Sequence, residues 1–148
     1  MGRRVVRLRD CTERRPVWRK PVGHKPVESD LKNANLSRAD LRNANLSGAN
    51  MDNANLSGAN LREADLTDAC LTFADLVGAN LTSADLTNAD QSHADLTKAN
   101  LTSADLTNAD LSHADLTKAN LTSANFDSTT LTSANLYGAI MSDGTIHV

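Results

Sequence analysis

From Leu31 to Ile146 every fifth residue is large and nearly always apolar. Nineteen of these 24 positions are Leu; the others are Met51, Gln91, Phe126, Met141 and Ile146. Two residues before each, from Ala34 to Gly144, 21 of 23 positions are Ala, with Thr129 and Gly144 as exceptions. The residue between is Asp or Asn in 20 of 24 cases; Cys70, Thr130, Ile140 and Thr145 depart. The unit is Ala-(Asp/Asn)-Leu-x-x. An α-helix cannot bury it, because successive Leu residues would step about 140° around the axis and form no stripe. Asn, Asp and Thr are also poor helix formers. A continuous flat strand fails as well, since an odd period sends each Leu to the opposite face. One backbone satisfies the period. Ala and Leu point inward on a short extended stretch, Asp or Asn points outward, and two residues turn the corner.

The number of corners in one coil is written in a duplication. Residues 81–100 and 101–120 are identical except for Gln91 against Leu111. A twenty-residue unit is four pentapeptides, so each coil stacks on a copy of itself about 4.8 Å away. Residues 31–146 then make nearly six coils, a rod on the order of 28 Å long.

These residues resemble the pentapeptide-repeat family, whose motif is A(D/N)LXX, in one uninterrupted register over about four fifths of the chain. The resemblance implies an all-β fold, a right-handed quadrilateral β-helix with a large central residue and a small one two before it. It assigns Leu36, Leu41, Leu46, Met51, Leu56 and their successors to the core. The closing LYGAIMSDGTIHV looks like C-terminal segments of bacterial, especially cyanobacterial, members.

Charge divides the chain in two. Residues 1–27 hold nine basic and two acidic residues, a charge of +7; residues 28–148 hold six basic and sixteen acidic, a charge of −10. Domain limits follow: a basic, Pro-containing tail over 1–28, expected to be mostly disordered, and a repeat domain over 29–148 with a C-terminal cap near 137–148. The tail either is a solvated leader or tethers the rod to nucleic acid or a membrane surface. No run reaches the roughly 20 apolar residues of a membrane helix, and no apolar stretch follows the first arginines as a secretory signal requires. Cys11 and Cys70 give neither metal spacing nor a disulfide framework, so a reducing cytoplasm is expected and Cys70 reads as an inert thiol.

Stacking by twenties aligns surface side chains. Asp75, Asp95 and Asp115 form one column, Asp85 and Asp105 a second, Asp90 and Asp110 a third. Stacked carboxylates repel. They are explained either by local hydrogen bonds to the turn backbone or by use as an acidic interaction face. In the quinolone-resistance branch of the family, the resemblance implies a rod that imitates DNA and binds DNA gyrase. This chain lacks the interrupting loop of that branch, and Lys98 and Lys118 dilute its acidic columns. His93 and His113 fall in register below Phe73, on an open surface that supplies no closing shell for a metal. The ladder of Thr82, Thr102 and Thr122 reads as turn residues rather than an ice-binding array. Gln91 is the one polar side chain in the Leu column. Tyr137, Ile140 and Val148 place apolar groups at outward positions near the end, either as a cap or as a homodimer patch; family members often dimerise through this end. No catalytic set, phosphate loop or cofactor motif stands out from the repeat. The reading is a non-enzymatic protein-interaction or scaffold module, with a gyrase-binding DNA mimic and a tail-driven tether as alternatives.

Overall fold

The computed structural model describes residues 29–148. Every parallel pairing joins residue i to residue i+20, from Asp30 with Asn50 to Asn120 with Ile140. One coil is therefore twenty residues and four sides. Each side contributes a single bridging residue, the Asp/Asn position, with a two-residue turn between sides. The extended stretches are shorter than ordinary strands because the corners consume two of every five residues.

The five-residue unit satisfies all five of its backbone N–H groups, which explains its composition. In the unit around Leu81, Leu81 N donates to Asn100 O of the next coil at 2.7 Å, and Ser83 N to Thr102 O at 2.9 Å. Ala84 N closes the turn on Leu81 O at 3.0 Å, and Asp85 N donates back to Ala64 O of the previous coil at 3.0 Å. That leaves the first corner residue. Thr82 N donates to the side-chain Oδ1 of Asn80 at 3.2 Å. The Asp/Asn slot thus provides the acceptor that the backbone cannot, an Asx-turn repeated along the rod.

The second corner residue is left-handed throughout. Phe73 has φ 55°, Lys98 60° and His113 61°, whereas only Gly48, Gly58, Gly78 and Gly138 supply glycine at that slot. A non-glycine residue there costs on the order of 1–2 kcal/mol. The adjoining interlocked ladder bonds hold it in place.

The Leu and Ala columns make one continuous core. From Met51 to Leu121 every Leu-slot side chain is fully buried, and Ala fills the space beside each. Leu31, Leu36 and Leu41 are only half-buried, in the first coil of the described residues, where no earlier described coil packs against them. Gln91 is fully buried in this column, and neither its Oε1 nor its Nε2 has a hydrogen-bond partner. Thr129, in an Ala slot, is accommodated because its hydroxyl donates to Leu106 O at 2.7 Å.

The period predicts that Ile146 continues the core column, and here the structure differs. The repeat stops at Met141. Gly144, with φ 84°, reverses the chain, and Ile146 pairs antiparallel with Ile140. His147 N donates to Ala139 O at 2.9 Å and Gly138 N to His147 O at 2.7 Å. Ile146 is consequently exposed, while Ala139 beneath the reversal is fully buried. Without an Asp/Asn at 140 or an Ala at 144, the next side has neither its Asx-turn acceptor nor its inward small residue.

Candidate functional site

The rod's outer surface is built from the ladders that the coil period lines up. Residues five apart lie on adjacent sides and residues ten apart on opposite sides. Asp85 and Asp105 therefore face away from Asp75, Asp95 and Asp115, with Asp90 and Asp110 on the side between. The seven aspartates wrap three sides instead of forming one face. Taking every twentieth residue also adds Asp65, which pairs with Asp85. The fourth side begins at Asp40, which is ion-paired with Arg42, and continues through Asn60, Asn80, Asn100 and Asn120, uncharged along that stretch of the ladder.

Most of these carboxylates are committed to local bonds. Asp95 Oδ1 accepts from Thr97 N at 2.9 Å. Asp115 accepts from both Thr117 N, at 2.8 Å, and the Thr117 hydroxyl, at 2.5 Å. Asp105 accepts from the hydroxyl and N–H of Thr107 and from Asn125 Nδ2 at 3.3 Å. The Thr107 hydroxyl and backbone bonds, with the Asn125 amide, hold its carboxyl below the usual value. Asp85 and Asp95 are exposed, Asp75, Asp105, Asp110 and Asp115 are half-buried, and Asp90 is buried. Like charges stacked a ladder step apart destabilise by about 0.2–1 kcal/mol per pair. Asp95→Asn retains the Asx-turn oxygen and removes two repulsions. It is expected to raise stability by up to about 1 kcal/mol in low salt, with the gain shrinking in 1 M NaCl. Urea melts at the two salt concentrations check this; a loss at both would mean that the charge itself stabilises the coil.

Other surface features are local. Lys32 Nζ meets Asp52 Oδ2 of the next coil at 2.6 Å, and Thr72 Oγ1 donates to Asp52 Oδ1 at 2.7 Å. Partial burial pushes the Asp52 carboxyl up, but the Lys32 and Thr72 hydrogen bonds and the Lys32 charge outweigh it and leave it lowered. Phe73, His93 and His113 stack in line, with ring centroids 4.8 Å apart and planes within 10°. Among the described residues, no group of three or more His, Cys, Asp or Glu side chains is arranged to hold a metal ion, and no helix is long and apolar enough to cross a membrane.

At the C-terminal end Tyr137 and Val148 are exposed, and half-buried Ile140 forms the edge onto which Ile146 folds back. The reversal closes only this side; Thr130 and Asn135 are the last paired residues of their ladders.

Cys70 corrects the sequence reading of an inert thiol, because it is disulfide-bonded. The basic tail, with Cys11, lies outside the described residues.

Coils of twenty residues, single-residue bridges and Asx-turn corners define a pentapeptide solenoid. The family model for pentapeptide repeats matches residues 29–68, 64–102, 74–112 and 104–143. This chain belongs to the pentapeptide-repeat family, a class of non-catalytic repeat proteins capable of protein binding. Among solved structures it is similar to Rfr23 from the cyanobacterium Cyanothece 51142, with 42% identity over 58% of each chain and a TM-score of 0.58. It is also similar to AT2G44920, a pentapeptide repeat protein from the Arabidopsis thaliana thylakoid lumen, with 32% identity over 65% of this chain and 67% of that one, TM-score 0.60. A third likeness is to QnrB1, a plasmid-mediated fluoroquinolone resistance protein, with 25% identity over 73% of this chain and 55% of that one, TM-score 0.63. This chain thus aligns with little more than half the length of Rfr23 and of QnrB1. A search of curated protein sequences found no significant match.

Proposed function

We propose that the rod is a DNA mimic that binds a gyrase-type topoisomerase through its carboxylate ladders. The observation that carries this reading is the linear charge density. The coil 81–100 holds Asp85, Asp90 and Asp95, and the coil 101–120 holds Asp105, Asp110 and Asp115. Three carboxylates per ladder step of about 4.8 Å is one per roughly 1.6 Å, close to the one phosphate charge per about 1.7 Å of duplex DNA. Lys98 and Lys118 lower the net density to one charge per about 2.4 Å. The likeness to QnrB1 supports the same reading. The rod is taken as right-handed and quadrilateral with nearly six coils, and as cytoplasmic beside such a partner. The exposed Tyr137, Ile146 and Val148 leave its C-terminal end open to a second copy.

A scaffold reading is favoured only by the uncharged Asn60–Asn120 ladder. A gyrase supercoiling titration, with and without a quinolone, separates the two. Wild-type protein is expected to inhibit the enzyme or protect it from the drug. The Asp85→Asn, Asp95→Asn, Asp105→Asn, Asp115→Asn variant keeps its turns and is expected to lose potency at least about tenfold, in keeping with the charge dependence of such contacts. Equal potency, or no effect from wild type, overturns the mimic and leaves a scaffold.

A further inference from the structure

Aromatic rings occupy the second corner slot at only three positions, and all three fall in one corner of successive coils: Phe73, His93 and His113. Elsewhere that slot holds Asn, Asp, Ser, Gly, Glu, Lys or Arg. The duplication of residues 81–100 accounts for the match of His93 with His113, but Phe73 lies outside it. A bulky side chain is uncommon in left-handed backbone, and Phe73, at φ 55°, is also 57% exposed. Folding gains little from a ring held that way. A residue kept in a sparsely populated conformation at the surface points to use in a contact.

The rings form a short column. The centroids of Phe73 and His93 are 4.8 Å apart with planes 10° from parallel, and those of His93 and His113 are 4.8 Å apart with planes 8° from parallel. Stacked faces cover one another, so only the ends of the column offer a face. Below His113 the column continues with Ser133, which is exposed and too short to cover an imidazole. The gap is about one ladder step, 4.8 Å. Carboxylates border it unequally. Asp110 leans into this corner, since its Oδ1 accepts from Ser112 N at 2.8 Å. Asp95 and Asp115 lean toward the next corner, where they accept from Thr97 N and Thr117 N. Among the described residues, Asp95, Asp110 and Asp115 have no ion pair.

We propose that this gap seats an arginine of a basic protein partner, with the guanidinium stacked on the open face of His113 and bonded at its edge to Asp110. The charge of −10 over residues 28–148 selects a cation. The ring face selects arginine among cations. A guanidinium is planar, stacks on aromatic faces and carries its N–H donors in its own plane, whereas the lysine ammonium is a compact, strongly hydrated point charge. A tyrosine or tryptophan would stack but leave Asp110 unanswered. The partner is that of the DNA-mimic reading, on which this inference rests for its source of arginine, because grooves that hold duplex DNA present arginine and lysine to the phosphates.

Fluorescence anisotropy with labelled oligoarginine and oligolysine of equal length tests the site on the full chain, at about pH 8, where free imidazole is neutral. Wild type is expected to bind oligoarginine about two- to fivefold more tightly than oligolysine, the range for an exposed cation–ring contact. The Phe73→Asn, His93→Asn, His113→Asn variant should bind the two peptides equally. It keeps every carboxylate, and Asn already holds this slot at Asn53, Asn88 and Asn108 with φ of 55°, 58° and 57°. Asp110→Asn preserves the acceptor for Ser112 N and should weaken oligoarginine binding more than Asp115→Asn does. Equal affinities in wild type, a preference that survives the triple variant, or equal losses from the two aspartate variants would overturn the proposal. The gyrase titration separates the two ideas. Wild type that is inert toward gyrase but prefers oligoarginine sinks the DNA mimic and leaves the arginine site standing. Wild type that acts on gyrase without that preference sinks the arginine site alone.

Discussion

Gln91→Leu is expected to raise the melting temperature on the order of 5–10 °C. Gln91 is fully buried and both polar atoms of its amide lack a partner. Leaving such a group unsatisfied costs about 1–3 kcal/mol, and a protein of this size shifts by several degrees per kcal/mol. Leu111 fills the equivalent position in the duplicated coil at zero exposure, so the cavity shape suits Leu without rearrangement. Scanning calorimetry of the two proteins in the same redox state measures the change. An unchanged or lower melting temperature would mean that the amide finds a buried water or that the coil has adapted to it.

The second large effect is positional. Leu101→Ala should cost about 2–5 kcal/mol, the range for a fully buried Leu whose cavity cannot collapse. Leu101 sits mid-rod, and its ladder neighbours Leu81 and Leu121 are also fully buried. Leu36→Ala removes the same atoms from the half-buried first coil and should cost about 1 kcal/mol, because one side of the side chain already faces solvent. In a rod whose coils contact only their neighbours, stability depends on place in the stack more than on residue type. Denaturant melts of the two variants decide the matter. Equal losses would show that the first coil is packed as tightly as the middle.

Comparison of the two ends shows how far a repeat pattern reaches. The five-residue period led directly to the coil, its core columns and the Asx-turn role of Asp and Asn. Each of these is a local requirement repeated at every unit, and a one-residue shift would break all of them together. The same period extended the core to Ile146, which the structure turns outward, because a cap is a departure from the repeat and follows from what the last unit lacks. The acidic columns were legible as columns. Their division among three sides followed only once the four-sided coil was in place.

Cys70 and Asp90 mark the remaining difference. Nothing in the pentapeptide distinguishes Asp90 from Asp110, and nothing in the repeat around Cys70 signals that its thiol is bonded. The amino-acid order alone determined the solenoid, its twenty-residue coil and the buried Leu and Ala columns, since burial alternates with chain position. Only the tertiary structure decided which outward residues are covered, that Cys70 is bonded, and where the repeat ends. Those depend on segments distant in sequence meeting in space, for which a local period carries no information.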